Sequence, residues 1–548
     1  MNVGEAIAKA LIDEGIDAVF SLLGDGTARI VYHLAEAGLP IYEGRHEAYV
    51  YAMADGYSRA TGRPTVCAIT GGPAVGHTFT AMTSAARTDS SVILLTGPSS
   101  RDDLRGRQRL DHRAMTELTG AAYFPIHAPD VAVQRVRELG DFLQASRRPA
   151  VLDVPEVVQT AEFDGAIASR PRPAWTTPRR LHPDPDAIEQ AVGLIAGAER
   201  VVIIAGGGAV ASGARDELIR LGEATGALMA ATINARGLFH GERFDAGVSG
   251  GFASDPAVEL FPQADVVLSF GTGMERFVTR RGGLFPNASY VQVDVKPPGP
   301  MASGAAADCY VQGDALIVAQ ALRTAVESNP APEGYRTEEV AARLGDPVDP
   351  ATFEIEGGRV DPRELCAQLD EVLPDNCGWV SGNSGHFWAF PITHMRRWRQ
   401  PLLYASYFGA IGYGIPVGLG ATLANGGDPV VVFEGDAGAM MHIQTMETAA
   451  RYGAHMLVVV LNDGALGAEY HNLVAEGYQP DLSLTPDADL AGLARHLGCR
   501  GATLTDLDGL PNLVSEFLSG GGPMLVDARV SRSVISRSTR RTVYHVPE

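Results

Sequence analysis

Short, unbroken apolar runs rich in β-branched residues constrain this chain more than any other feature. A strand with one wet face alternates apolar and polar residues. A run that does not alternate is buried on both faces, which calls for a parallel sheet covered by helices. Such runs recur along the whole chain: DAVFSLLG, TVCAIT, SVILLTG and AVLDVP; then VVIIAGGG, GALMAATINA, DVVLSFGTG and SYVQVDV; then CGWVSGN, PVVVFEGD, MLVVVLND and PMLVDARV. Helical patterns separate them. The pattern predicts an α/β protein of three doubly wound parallel-sheet domains. A length of 548 residues agrees, because one hydrophobic core stops growing well before that.

Two Pro-rich stretches, Ser169–Asp186 and Ser328–Pro350, read as surface linkers between the blocks. The expected domains are 1–168, 187–327 and 351–528. An extended C-terminal arm, 529–548, carries Arg529, Arg532, Arg537, Arg540 and Arg541. No apolar run reaches the ~18 residues of a membrane helix. The N-terminus, with Glu5 and Asp13, reads as an amphipathic helix and not as a signal peptide. Five scattered cysteines without a CxxC pair fit a reducing cytoplasm. A net charge of −21 argues against nucleic acid as a partner.

Two of the apolar runs end in a carboxylate. Asp436 closes PVVVFEGD, Asp463 closes MLVVVLND, and a helical stretch lies between. A βαβ unit sets the ends of its two parallel strands side by side, and ligands of doubly wound sheets sit beyond those ends. Gly435, Ala437 and Gly438 let a ligand approach the backbone, and a helix starting near Ala439 aims its free N–H groups there. Two carboxylates beside N–H donors suit a diphosphate bridged by Mg²⁺. Singly, Asp436 would be a helix cap and Asp463 a turn residue.

Here the residues resemble a known family. GDA at 435–437 with ND at 462–463 is similar to the GDG…NN signature of thiamine diphosphate (ThDP) enzymes. The resemblance implies Mg²⁺ ligands at Asp436, Asp463 and the carbonyl of Ala465. It also requires a second motif, and RHEAYVYAMADGYSRATG resembles the corresponding segment of the acetolactate-synthase-like group. That makes Glu47 the residue expected to protonate N1′ of the aminopyrimidine. Its apolar neighbours, Ala48 to Ala52, would raise its pKa. YFGAIGYGIPVGLGA resembles a third segment, which implies Ile411 as the wedge that bends the cofactor and the Gly409 carbonyl as acceptor for its 4′-amino group. NSGHFWAF stands where the family contacts the diphosphate, which makes His386 a candidate. The three blocks then correspond to pyrimidine-binding, central Rossmann-like and diphosphate-binding domains. The implied active unit is a homodimer or tetramer, with Glu47 and Asp436 meeting across subunits.

Other segments depart from the group. RQRLDHRAM aligns Gln108 with a glutamine that faces the thiazolium and puts His112 at another glutamine; His112 is either a proton donor or a structural histidine. GGPAVGHT has Ala74 for a glycine and His77 for an asparagine; His77 either enters the site or holds the loop. In the central domain GGGAVA fits a dinucleotide turn, but no acidic residue follows the next strand. Gly273 replaces the group's flavin arginine, which leaves FAD doubtful. The resemblance implies a carbon–carbon lyase or carboligase acting on a 2-oxo acid. The alternatives are a non-ligating decarboxylase, a 2-hydroxyacyl-CoA or oxalyl-CoA lyase, and a ThDP-binding regulatory paralogue.

Overall fold

A computed structural model describes residues 1–97, 107–165, 167, 180–299, 301, 306–327, 334–346, 348–383, 387–405 and 407–544. Three six-stranded sheets form the frame, and every strand pair in them is parallel. The first contains β1 (Val19–Leu22), β2 (Ile41–Glu43), β3 (Thr65–Ile69), β4 (Val92–Thr96), β5 (Ala122–Pro125) and β6 (Ala150–Asp153), in the order β2-β1-β3-β4-β6-β5. The second contains β7 (Val201–Ala205), β8 (Leu228–Ala231), β9 (Asp245–Val248), β10 (Val266–Phe270), β11 (Ser289–Asp294) and β12 (Cys309–Gln312), in the order β12-β11-β10-β7-β8-β9. The third contains β13 (Gly378–Ser381), β14 (Leu402–Tyr404), β15 (Val430–Gly435), β16 (Met456–Asn462), β17 (Arg500–Leu504) and β18 (Met524–Arg529), in the order β14-β13-β15-β16-β18-β17. The first and third sheets share one topology. The middle sheet has the Rossmann order, in which the chain reverses direction between β7 and β10.

The interior strands are buried along their whole length, as their unbroken apolar runs require: β3, β4, β15 and β16 expose no residue. The first and third domains share one core. Tyr51, Met53 and Tyr57 of the helix Glu47–Thr61 pack with Ile415, Val417 and Leu419 of the helix Gly414–Ala424. Glycine permits this crossing. A Cβ on Gly56 would lie 2.1 Å from the Val417 carbonyl oxygen, and one on Gly420 would lie 1.9 Å from that of Met53. Truncating a buried leucine such as Leu419 to alanine would cost about 2–5 kcal/mol.

Two expectations change. The stretch 328–350 is not simply a linker. Helix Glu338–Leu344 lies within it, Val340, Ala341 and Leu344 pack on the middle domain, and the buried Tyr335 hydroxyl donates to the Leu260 carbonyl at 2.8 Å. Of the other linker, residues 168–179 lie outside the described residues. The arm is not extended throughout either, since it contains the helix Arg537–Thr542. Its arginines are paired. Arg529 meets Asp487 and Asp527, Arg532 donates to the Asp463 carbonyl, Arg537 and Arg541 both reach Asp255, and Arg540 reaches Asp349. Tyr544 then bonds His471 Nδ1 at 2.6 Å. The arm straps the third domain to the middle one instead of presenting free positive charge. No helix among the described residues is long and apolar enough to cross a membrane.

Candidate active site

β15 and β16 pair in register with Gly435 opposite Leu461, so Asp436 and Asp463 emerge side by side at the carboxyl edge of the third sheet. The helix begins at Asp436 itself, not near Ala439, with Gly435 as its cap. Thr485 holds one side of the pair, its hydroxyl donating to Asp436 Oδ2 at 3.0 Å. Asp463 Oδ1 accepts from the Ala465 N–H at 3.2 Å, while Oδ2 is buried and has no hydrogen-bond partner. Burial, with the charge of Asp436 beside it, pushes Asp463 up to about 7, against the opposing pull of Arg532. Asp436 is also raised, by burial, with the Thr485 bond working the other way. Two buried carboxylates, both raised, are short of positive charge even with Arg532 Nε 3.8 Å from Asp463 Oδ2, and the arrangement suits a divalent cation. Ala465, the third ligand implied by the resemblance, is buried beside them and bridges Leu484.

A buried glutamate underlies the cradle. Glu434 accepts from the Gly414 and Gly435 N–H groups at 3.0 and 3.2 Å. Burial drives its carboxyl up to about 7, which those two bonds oppose. A Cβ on Gly382, Gly414 or Gly438 would come within 2.3, 2.6 or 2.7 Å of that carboxyl group, so each of these positions must lack a side chain. Gly409 and Gly412, both at positive φ (81° and 83°), make the turn that pushes Ile411 outward, where it is 40% exposed. An outward apolar residue at this edge has the form required of a wedge. His386 lies outside the described residues.

Glu47 opens its helix in the first domain. His46 caps that helix, its Nδ1 accepting from the Ala48 N–H at 3.2 Å. His77 ends the short helix Pro73–His77, and its Nδ1 lies 3.0 Å from Glu47 Oε2. The expectation of a raised Glu47 pKa is therefore corrected. Burial does push it up, but the His77 hydrogen bond and further favourable contacts outweigh that, and the carboxyl falls below its ordinary range.

The two readings of His112 also separate. It is buried, its Nδ1 is 3.0 Å from Asp153 Oδ2, and its Nε2 accepts from the Gly72 N–H at 2.9 Å. Both ring nitrogens are occupied, so in this state the histidine holds the loop that carries His77. Gln108 is exposed, and its carbonyl closes on Gly72, where a Cβ would meet it at 2.0 Å. In the middle domain the Gly208 N–H donates to Gly271, so that amide of the glycine-rich turn serves packing. Thr485, Asp153 and Arg532 escaped sequence reasoning, because each lies far along the chain from the group it touches.

The helices on both sides join these edges within one chain. The Tyr49 hydroxyl donates to the Met441 carbonyl at 2.8 Å, and Arg45 pairs with Glu447 at 2.9 Å.

Comparison with known proteins agrees with this architecture. Residues 1–120, 188–322 and 381–528 match the N-terminal TPP-binding, central and C-terminal TPP-binding domain models of thiamine pyrophosphate enzymes. The chain is 26% identical to a probable acetolactate synthase large subunit of Methanocaldococcus jannaschii over 551 residues, 96% of this chain and 91% of that one. It is 28% identical to a probable 2-ketoarginine decarboxylase of Pseudomonas aeruginosa over 561 residues, 96% and 94% of the two chains. It is 26% identical to the acetolactate synthase isozyme 2 large subunit of Escherichia coli over 542 residues, 97% and 96%.

Proposed function

Since the chain belongs to the thiamine diphosphate enzymes, in their acetolactate-synthase-like group, we propose that it is a Mg²⁺-dependent carboligase that decarboxylates a 2-oxo acid and transfers the acyl remainder to a second carbonyl. One observation supports the metal assignment: Asp463 Oδ2 is buried without a hydrogen bond next to Asp436 at adjoining strand ends, with Arg532 Nε no nearer than 3.8 Å. Asp436, Asp463 and the Ala465 carbonyl would hold Mg²⁺, and the first-turn N–H groups after Gly435 would take phosphate oxygens. When bound, the cofactor would supply a nucleophilic carbon and a cationic ring able to take up the electrons left when CO₂ departs.

The chain's own groups supply the rest. Glu47 would serve as the acid toward the cofactor's aminopyrimidine, the Gly409 carbonyl as a hydrogen-bond acceptor for its amino group, and Ile411 as the apolar support beneath it. His112 and Gln108 position the loop between them. The active unit is a homodimer or tetramer in which Glu47 of one chain meets Asp436 of the other. The central domain works without FAD, consistent with Gly273 and the closed Gly208 turn.

The decarboxylase relative, similar over the same span, favours a second reading in which the intermediate is protonated and not ligated. Incubation with ThDP, Mg²⁺ and a panel of 2-oxo acids, including pyruvate and 2-ketoarginine, separates the two. Carboligation yields CO₂ together with an acetohydroxy acid or acyloin. CO₂ with aldehyde alone selects the decarboxylase, and no CO₂ from any 2-oxo acid rejects both.

A further inference from the structure

In the group that this chain resembles, an asparagine stands at position 77, which can donate a hydrogen bond but cannot carry a proton near neutrality. Here it is a histidine, and the fold delivers it to Glu47. The helix Pro73–His77 is anchored through buried Ala74 and Val75, the Thr78 hydroxyl bonds the Val75 carbonyl, and His112 pins Gly72 behind it. The His77 ring stacks on His46 with centroids 4.9 Å apart and 25° between planes, which fixes its Nδ1 at 3.0 Å from Glu47 Oε2. The remainder of the side chain is open, at 54% exposure.

We propose that His77 is the positioning partner of Glu47 and the store of the proton that Glu47 delivers. The inference rests on the reading of Glu47 as the acid toward N1′. A carboxyl and an imidazole 3.0 Å apart hold protons as a pair, so the imidazole can keep a proton at hand for the carboxyl to deliver. The pair's one proton rests on Nδ1 of His77 and passes along the 3.0 Å hydrogen bond to Oε2 of Glu47. The carboxylic acid so formed delivers it to N1′ and returns to the carboxylate, and neutral His77 takes a replacement at its open edge from a solvent acid, whose conjugate base leaves with bulk water. Only bonds to hydrogen change, and nothing is oxidised.

The other groups around Glu47 do not fill this role. His46 has its Nδ1 committed to the Ala48 N–H and faces Tyr49, with His442 beyond, and the Cys67 thiol on β3 is fully buried and pushed up by desolvation. The ligand atoms of His46, Glu47 and His77 do lie within 4.8 Å of one another, close enough for a metal. Imidazole lone pairs, however, lie in the ring plane, and two stacked rings do not converge theirs on one ion.

The first test needs no cofactor. In cofactor-free protein carrying ¹³C at its glutamate carboxyls, with Glu47→Gln to identify the signal, the Glu47 carbon should report two inflections with pH, its own and that of His77. In His77→Asn it should report one. A single inflection in the wild type, superimposable on that of His77→Asn, overturns the coupling. The second test adds ThDP and Mg²⁺ and follows deuterium exchange at the cofactor's C2. His77→Asn should exchange roughly tenfold more slowly near about pH 8 and within about twofold of the wild type near about pH 5. Equal slowing at every pH makes His77 a structural residue and overturns the store. If the wild type binds ThDP but exchanges no faster than Glu47→Gln, the reading of Glu47 has failed, a result distinct from either outcome for His77.

Discussion

The first and third sheets have the same strand order, yet their carboxyl edges carry opposite chemistry. β15 and β16 are followed by Asp436 and Asp463; their counterparts β3 and β4 are followed by Thr70 and Gly97. In the third sheet the edge is acidic, with Arg532 Nε 3.8 Å from Asp463 Oδ2. In the first the same edge is pinned by neutral and paired groups, with the Thr96 hydroxyl bonded to the Thr70 carbonyl at 3.0 Å and His112 to Gly72. The carboxylate proposed as its acid, Glu47, comes instead from the start of a helix. On the proposed reading one topology supplies a metal edge and an acid–base edge, distinguished by the residues past the strands and at that helix start.

The largest expected effect breaks the metal edge. Asp436→Ala should weaken Mg²⁺-dependent ThDP binding by more than about a hundredfold, whereas Thr70→Ala, at the matching point of the other sheet, should leave it within about threefold. Calorimetric titration of both variants checks this, and equal losses would dissolve the distinction. The acid–base edge comes next. Glu47→Gln should retain cofactor while C2 deuterium exchange slows by ~10²–10⁴-fold.

A smaller effect follows from pH. Asp463 is raised to about 7 in the folded, metal-free protein. The fold therefore binds its proton more tightly than the unfolded chain does, and stability falls as pH rises from near 4 through about 7, then levels off. The contribution is at most about 4 kcal/mol, and Glu434, raised in the same direction, adds to the slope. Thermal melts without metal should show the fall, Asp463→Asn should flatten part of it, and Mg²⁺ should reverse part of it. A flat profile in all three would remove the claim that the edge is short of positive charge.

The smallest effect concerns the arm. Asp255 is half exposed, so Asp255→Ala, which removes the carboxylate that Arg537 and Arg541 share, should cost about 1 kcal/mol. Deleting residues 533–548 should lower the melting temperature and leave the salt dependence of KM for an anionic 2-oxo acid unchanged, because the arginines it removes are already paired. A flattened salt response would instead make the arm an electrostatic funnel for that anion.

How much of this was legible in the sequence follows from burial. Every interior strand of the three sheets stands out as an apolar run. The six that do not, β2, β5, β9, β12, β14 and β17, are the six sheet edges. Edge strands are short or wet on one side, and β2, β5 and β17 have mostly half-buried residues, so no unbroken apolar signal marks them. Asp436, Asp463 and Glu47 could be read because local motifs carry them. The meeting of His77 with Glu47 and that of Asp153 with His112 could not, since each spans a crossover whose geometry no window reveals. The sign of the Glu47 shift was misjudged for that reason: its chain neighbours are apolar, but its neighbour in space is an imidazole.

The glycine crossing of Gly56 and Gly420 has a mechanical consequence. Two helices whose backbones already touch have no slack to slide or tilt. The first begins at Glu47, and the second follows directly on the turn that projects Ile411. Within one chain Glu47 and the Ile411 turn must travel together, as the ends of a welded joint would. On the proposed reading, any opening that admits substrate has to be found elsewhere, in the loops past the strands.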